Sequence, residues 1–229
     1  MHHIQRSILA KLMDEDSVRY AELQPKDIGS NLFTYHLKQL KQENYVMRTG
    51  WGTYKLTSTG KRFVDGLSLE TLRPRAQPKI IILLACRDRL GRWLLMKRKV
   101  QPLLGQVGFP YGKLHLGEKI HAAAHRELME KTGLTGKIEH RGDGYITIRE
   151  NKKAVSEVFF HLFYCMAPSG YLQSEHKAGD VFWSDIEDDF TQPPFMASMP
   201  DLVRVIETDV DTNGRFFLEL EYNTDTATG

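Results

Sequence analysis

Cysteine is scarce in this chain. Of 229 residues only two are cysteine, Cys86 and Cys165, each closing an apolar run, IIILLAC and FFHLFYC. Neither belongs to a C-x-x-C pair, which excludes a disulfide scaffold and a thioredoxin-type redox motif. Both read as buried free thiols in a reducing cytoplasm. Long hydrophobic runs are missing too: the longest, Ile80–Cys86, falls far short of the ~20 apolar residues that span a bilayer. Met1–Arg6 leads directly into a charged amphipathic segment, so neither a secretory leader nor a membrane partner is expected. There is no G-x-S-x-G elbow, no P-loop and no Cys/His quartet at zinc spacing, and the nine histidines are scattered. The corresponding esterase, NTPase and zinc-finger readings are thereby removed. A large excess of one charge is also lacking. The net charge of +2 gives no whole-chain argument for a nucleic-acid partner.

What charge there is lies unevenly. Residues 1–79 carry 13 Lys and Arg against 8 Asp and Glu, and residues 80–229 carry 18 against 21. A basic front on a mildly acidic body suggests that the two parts meet different partners. Between them LETLRPRAQPK, Leu69–Lys79, has two prolines and little to bury, as linkers do. The division expected is a first domain over 1–70, a linker over 71–79, a second domain over 80–210, and over 211–229 a C-terminal strand and tail. The tail, NTDTATG, is expected to lack fixed structure.

Apolar spacing in the first part is helical. Ile4, Ile8, Leu9 and Leu12 form one stripe; a short segment, VRYAEL, follows, and then SNLFTYHLKQLKQENYV, with Ser30 as the expected N-cap. At 100° per residue Leu32, Phe33, Leu37 and Leu40 fall on one arc with His36 at its edge. Thr34, Tyr35, Lys38, Lys41 and Gln42 fall on the other. YVMRTGWGTYKLT reads as a hairpin around Gly50–Gly52, and STGKRFVDGL as a short helix or turn. This order, with FTYHLKQLKQENYVMRTGWGTYKLTSTGKRF, resembles the winged helix-turn-helix regulators of the ArsR/MarR kind. That likeness implies that Thr34, Tyr35, Lys38, Lys41 and Gln42 enter the DNA major groove while Arg48, Trp51 and Lys55 of the wing lie along phosphates. Winged helices also serve as protein–protein modules, and that alternative stays open. A homodimer reading two half-sites is the matching expectation.

The second part changes period. Ile80–Ala85 and Trp93–Lys97 look like buried strands of one hairpin. VGFPYGKLHLGE is rich in glycine and proline and reads as a loop; KIHAAAHRELMEKT has no interior Gly or Pro and reads as a helix ended by Gly133. GYITIR and AVSEVFFHLFYCMA are further strands, DVFWSDIEDDF a strand end and MPDLVRVIE a closing helix. On the first helix Glu127, Glu130 and Lys131 stand at i, i+3 and i+4 and so share one face. Acids gathered on one face repel, and such a cluster is usually kept where a cation offsets the repulsion. Arg126 is beside them, able to hold Glu118 or Glu127 through a charge-assisted bond.

The spacing of these residues resembles the Nudix box, G-x5-E-x7-R-E-U-x-E-E-x-G-U with U aliphatic. Gly112, Glu118, Arg126, Glu127, Leu128, Glu130, Gly133 and Leu134 match in register; Lys131 departs, at the second acid of the E-E pair. The resemblance implies a mixed sheet between helices, an α/β/α sandwich behind the winged helix. It further implies Mg²⁺ or Mn²⁺ as cofactor and a nucleoside diphosphate linked to another group as substrate or ligand. Carried over by position, Glu127 is the catalytic carboxylate, as a metal ligand or a base-positioning acid, Glu130 a metal ligand, and Gly112 a metal ligand through its carbonyl. Arg126 orients the acids, and Glu118 supports the box. Lys131 and Arg98 would meet the ligand's phosphates. Glu150 and Glu157 are both candidates for the further acid that often assists.

Lys131 sets the choice of function. A lysine in place of a carboxylate changes local charge by two and puts an ammonium where it opposes the metal. That costs on the order of 1–4 kcal/mol depending on screening, while a lysine remains a good point-charge partner for phosphate. Two readings follow. One is a DNA-binding regulator whose Nudix domain binds the metabolite with weak or absent hydrolysis. It resembles Nudix-related regulators, although those place the winged helix after the Nudix domain. The other is a Mg²⁺-dependent pyrophosphohydrolase with the winged helix as accessory.

Overall fold

The computed structural model of the protein describes residues 1–185, 188–192, 194–212 and 215–223, with backbone only at 209–212. Residues 224–229 of the expected unstructured tail, and Ile186 and Glu187 of the expected strand end, lie outside the described residues. The chain divides into two compact units, Met1–Ala76 and Gln77–Gly229. Among the described residues no helix is long and apolar enough to cross a membrane.

In the first unit helix α1 (His3–Asp14) is followed by β1 (Val18–Arg19), α2 (Tyr20–Leu23) and α3 (Ser30–Gln42). Then come β2 (Val46–Arg48), β3 (Thr53–Leu56) and α4 (Ser58–Asp65). The three strands form one sheet in the order β1-β3-β2, with both pairings antiparallel. The core joins Ile4, Ile8, Leu9 and Leu12 of α1 to Phe33, Leu37 and Leu40 of α3 and to Val18, Val46 and Leu56. Each such large side chain contributes about 1.5–3 kcal/mol by leaving water, so the helical stripe is what fastens α1 to α3. Two expectations need correction. Leu32 is 49% exposed, whereas His36 is buried at 6% and stacks on His2 at 4.2 Å, so the inward stripe is Phe33, His36, Leu37, Leu40. Gly29, not Ser30, is the N-cap of α3; Ser30 opens the helix and its hydroxyl accepts from Gln24 Nε2 at 3.1 Å. Part of the stretch expected as linker is tied down: Arg75 N–H donates to Gly66 O and Leu72 N–H to Ser68 O.

In the second unit β4 (Lys79–Arg87), β5 (Leu94–Arg98), β6 (Val107–Gly108) and β7 (Tyr111–Lys113) precede α5 (Ile120–Thr132). After it run β8 (Leu134–Thr135), β9 (Ile138–Glu150), β10 (Lys153–Met166), β11 (Ser169–Gly170), β12 (Glu175–His176) and β13 (Gly179–Trp183). Helix α6 (Met199–Thr212) and strand β14 (Phe216–Asn223) close the chain. A mixed five-stranded sheet runs β14-β9-β10-β4-β7, and a four-stranded one β12-β13-β5-β6. Alternation along β4 divides the interior. Ile82, Leu84 and Cys86 join Ala123, Ala124 and Leu128 of α5, while Ile81, Leu83 and Ala85 join Met199, Leu202 and Ile206 of α6. The sheet is therefore covered by a helix on each face, as period-2 side-chain placement requires of a strand buried on both sides. Cys86 and Cys165 face each other in register on β4 and β10, both buried and free.

Two expectations fail here for one reason, nonlocal pairing. β4 and β5 meet only at their connecting turn, through the Arg87–Trp93 bridge, and then part into different sheets. The stretch read as a loop contains β6 and β7, and β7 pairs with β4 at Ile81–Leu83.

Candidate functional site

Helix α5 is drawn close to the sheet by two alanines, Ala123 and Ala124, which are fully buried. It stops at Gly133, whose φ of +71° is left-handed and where a Cβ would lie 2.6 Å from Tyr171 O. Only glycine combines that backbone with that approach.

On the face of α5 toward β7, Arg126 is a hub. Its Nε and Nη2 donate to both oxygens of Glu118 at 2.7 and 2.8 Å, a bidentate pair. Its Nη1 donates to Glu127 Oε1 at 2.7 Å and to Glu130 Oε2 at 3.0 Å, and Nη2 also reaches Lys113 O at 3.2 Å. One guanidinium thus fixes three carboxylates and the backbone of β7. Glu127 is buried, 3% exposed, and lies against Gly112: a Cβ on Gly112 would fall 1.7 Å from its carboxyl carbon. Its Oε2 is buried without a hydrogen-bond partner, and the Lys131 ammonium stands 3.9 Å from that oxygen, an ion-pair distance and not a hydrogen bond. Three carboxylates against Arg126 and Lys131 leave a formal charge of −1. The buried acceptor fits a hard cation, so Glu127, Glu130 and the Gly112 carbonyl are the groups that would hold Mg²⁺ or Mn²⁺, with Lys131 competing for the same charge.

The hydrogen bonds from Arg126 hold the Glu118 carboxyl down from 4.5 to about 2. A carboxylate so lowered adds stability that is complete above its unfolded value and lost as pH falls toward the folded one. In acid denaturation followed by circular dichroism, the Glu118→Gln protein is expected to lose less of its stability than the wild type between about pH 4.5 and 2. Equal losses would show that the pair contributes nothing there.

His176, on β12, is a neighbour that spacing did not flag. Its pKa is lowered by burial and then by the Lys131 charge, and raised in part by Glu127 and Glu130, so it belongs to this electrostatic group. No motif around His176 could have found it.

Arg98 is not with the box. It stacks over the Tyr111 ring at 4.9 Å, donates from Nε to Pro102 O at 3.0 Å, and lines a cavity of about 260 Å³ with Phe109, Lys113, Phe160 and Met199. That cavity lies on the α6 face of the sheet. Tyr111 and Lys113 of β7 line it, while Gly112 between them meets Glu127. Glu157 stands opposite Thr147 on the β9–β10 ladder, and Glu150 ends β9 opposite Lys153. Among the described residues neither makes a hydrogen bond or ion pair with the box.

In the first unit Thr34, Tyr35, Lys38, Lys41 and Gln42 are all exposed on α3, and Arg48, Trp51 and Lys55 on the hairpin. Trp51 is 94% exposed. Thr34 Oγ1 is hydrogen-bonded to the Tyr20 hydroxyl at 2.6 Å, and Tyr35 OH accepts from Gln39 Nε2 at 2.8 Å.

A mixed sheet covered by a helix on each face, with an arginine gathering the glutamates of a loop–helix–loop against a strand glycine, defines a Nudix domain. The NUDIX domain model matches residues 76–203, and the chain belongs to the Nudix family. Among solved structures it is similar to the Nudix domain of Shewanella oneidensis NrtR, determined in complex with ADP ribose. There the identity is 16%, the TM-score 0.50, and the match covers 68% of this chain and 99% of that one. It is also similar to a mutator MutT protein from Bacillus halodurans, at 24% identity and TM-score 0.49 over 64% of this chain and 92% of that one. The likeness to the NrtR domain concerns the fold alone. The curated proteins include no match to the chain.

Proposed function

We propose that the chain is a DNA-binding regulator whose Nudix domain binds a nucleoside-diphosphate-linked metabolite and hydrolyses it weakly or not at all. The observation that carries this reading is the Lys131 ammonium 3.9 Å from the partnerless Glu127 Oε2. A divalent ion held by Glu127, Glu130 and Gly112 supplies Lewis-acid charge and an activated water in such sites. Lys131 opposes that ion and offers its own charge to a diphosphate instead. Arg126 keeps the carboxylates in place whether or not turnover follows. The cavity beside β7, walled by Phe109, Phe160 and Tyr111 with Arg98 and Lys113 at its polar points, suits a planar ring attached to phosphates. ADP ribose, seen in the NrtR domain, is the first ligand to try.

The first unit supports the DNA half of the reading. Its order, α1–β1–α2–α3–β2–β3–α4, supports reading it as a winged helix, with α3 as the proposed recognition helix and β2–β3 as the proposed wing. The proposed division is a winged helix over 1–70, a linker over 71–79 and a Nudix domain over 80–210 with its final strand beyond, acting as a homodimer on paired half-sites.

Two measurements test this. In calorimetry and product assays with ADP ribose and other nucleoside diphosphate derivatives, with Mg²⁺ or Mn²⁺, one compound is expected to bind without turnover. Turnover that Glu127→Gln abolishes would establish the hydrolase instead. In gel shifts, genomic fragments are expected to be retarded at low salt. Lys38→Ala with Lys41→Ala should weaken binding on all sequences and reduce the log–log salt slope by about two. No retardation by the wild type ends the DNA reading.

A further inference from the structure

A second group of metal-ligating side chains lies on the sheet, apart from the box. His161 of β10 and Asp143 of β9 stand opposite each other in the ladder. His140 is three residues from Asp143, and in a regular strand an odd separation would send the two to opposite faces. The ladder shifts register between Leu162, paired with Gly142, and Phe163, paired with His140, so Arg141 is the extra residue of a bulge. The bulge turns His140 onto the face of Asp143 and His161, the re-aiming of a side chain that bulges commonly accomplish.

The result is convergent. His140 Nε2 lies 2.8 Å and His161 Nδ1 2.6 Å from the same oxygen, Asp143 Oδ1. One donor atom from each of the three side chains falls within 4.8 Å of the others. Phe159 meets the His161 ring edge-on and Phe163 packs on His140, both with centroids 5.2 Å apart, which sets the orientation of both imidazoles. The side chains of His140, Asp143 and His161 keep 17%, 33% and 13% of their surface open, enough for an ion to enter.

We propose that His140, Asp143 and His161 form a binding site for a borderline divalent ion, Zn²⁺ foremost. Two imidazole nitrogens and one carboxylate oxygen suit Zn²⁺ or Co²⁺ and disfavour the all-oxygen cations Mg²⁺ and Ca²⁺. Three protein ligands leave a fourth tetrahedral position for water. Placing an ion about 2.1 Å from each donor at tetrahedral angles needs them roughly 3.4 Å apart, against 2.8 and 2.6 Å for the two nitrogen–oxygen contacts, a widening of roughly 0.6–0.8 Å. Each imidazole then takes the tautomer with its proton on the remote nitrogen, and the ion replaces the two N–H···O contacts. The site is separate from the box. Gly112 pairs with Ile82 and Ile82 with His161, so two strand spacings, roughly 10 Å, separate the backbone of Gly112 from that of His161.

The experiment uses the full chain, stripped with a chelator and held in millimolar Mg²⁺. Calorimetric titration with Zn²⁺ is expected to give one ion per chain, and Co²⁺ to give the visible absorption of a low-coordinate site. His161→Gln and Asp143→Asn, each checked for native circular dichroism, should each weaken Zn²⁺ by on the order of a hundredfold, at least the effect of losing an outer-shell partner. The Glu127→Gln, Glu130→Gln protein should bind Zn²⁺ as the wild type does. Absence of Zn²⁺ uptake by the wild type overturns the proposal. So does uptake that survives His161→Gln but not the paired glutamate changes. A thiolate charge-transfer band with Co²⁺ would likewise overturn it by locating the ion at Cys86 and Cys165.

Discussion

With Lys131→Glu, metal-dependent cleavage of the proposed ligand, a nucleoside diphosphate derivative, is expected to rise well above the weak or absent turnover proposed for the wild type. The substitution takes an ammonium away from a buried carboxylate oxygen that has no hydrogen-bond partner and adds a further acid to the same helix face. The formal charge of Glu118, Arg126, Glu127, Glu130 and residue 131 moves from −1 to −3. A unit charge about 4 Å from a cation is worth roughly 1 kcal/mol in water and about 4 near a protein surface. The substitution changes the local charge by two units and acts on a divalent ion, four times the unit pair, so even with water's screening Mg²⁺ or Mn²⁺ should bind on the order of a thousandfold more tightly. The same change removes a cation from the proposed diphosphate site, so ligand affinity without metal should fall. Metal affinity is read by titration and turnover by product release. A Lys131→Glu protein that binds Mn²⁺ no better than wild type would show that the lysine is not what limits the site.

The second large effect is on stability. Arg126→Met is expected to destabilise the second unit by about 3–5 kcal/mol, read as a lowered midpoint in urea or on heating. The arginine satisfies Glu127, which is 3% exposed, and without it a buried carboxylate is left facing only an ammonium 3.9 Å away. Methionine keeps an unbranched apolar stem and removes the guanidinium with both its charge and its donors. Millimolar Mg²⁺ should restore part of the midpoint, because a cation that binds only the folded state stabilises by mass action. A midpoint unchanged by Arg126→Met would show that the carboxylates do not depend on the hub.

How far the sequence could be read follows the range of the interactions involved. The box was legible because its members lie on one loop and one helix, where fixed spacing becomes fixed geometry; Glu127, Glu130 and Lys131 do share a face, and Gly112 does meet that face. The stripe on α3 was legible except at Leu32 and His36, because hydropathy alone ranks an aliphatic side chain as more buried than an imidazole. Tertiary packing on His2 decided otherwise. Strands β6 and β7 were hidden by their length and their glycine and proline, since pairing and not periodicity makes them strands. The parting of β4 from β5 was equally hidden, for the turn at Asp88–Arg92 forms in either case. His176 and the His140–Asp143–His161 group needed the β12 position and the β9 bulge, both set by partners far along the chain.

Strand β7 is three residues long and pairs with one neighbour, yet it faces two ways. Tyr111 and Lys113 wall the cavity, and the bare α-carbon of Gly112 is the surface on which the Glu127 carboxylate rests. With no side chain between them, the strand's backbone and the acid stand in direct contact, and any side chain placed at position 112 would have to displace that carboxylate.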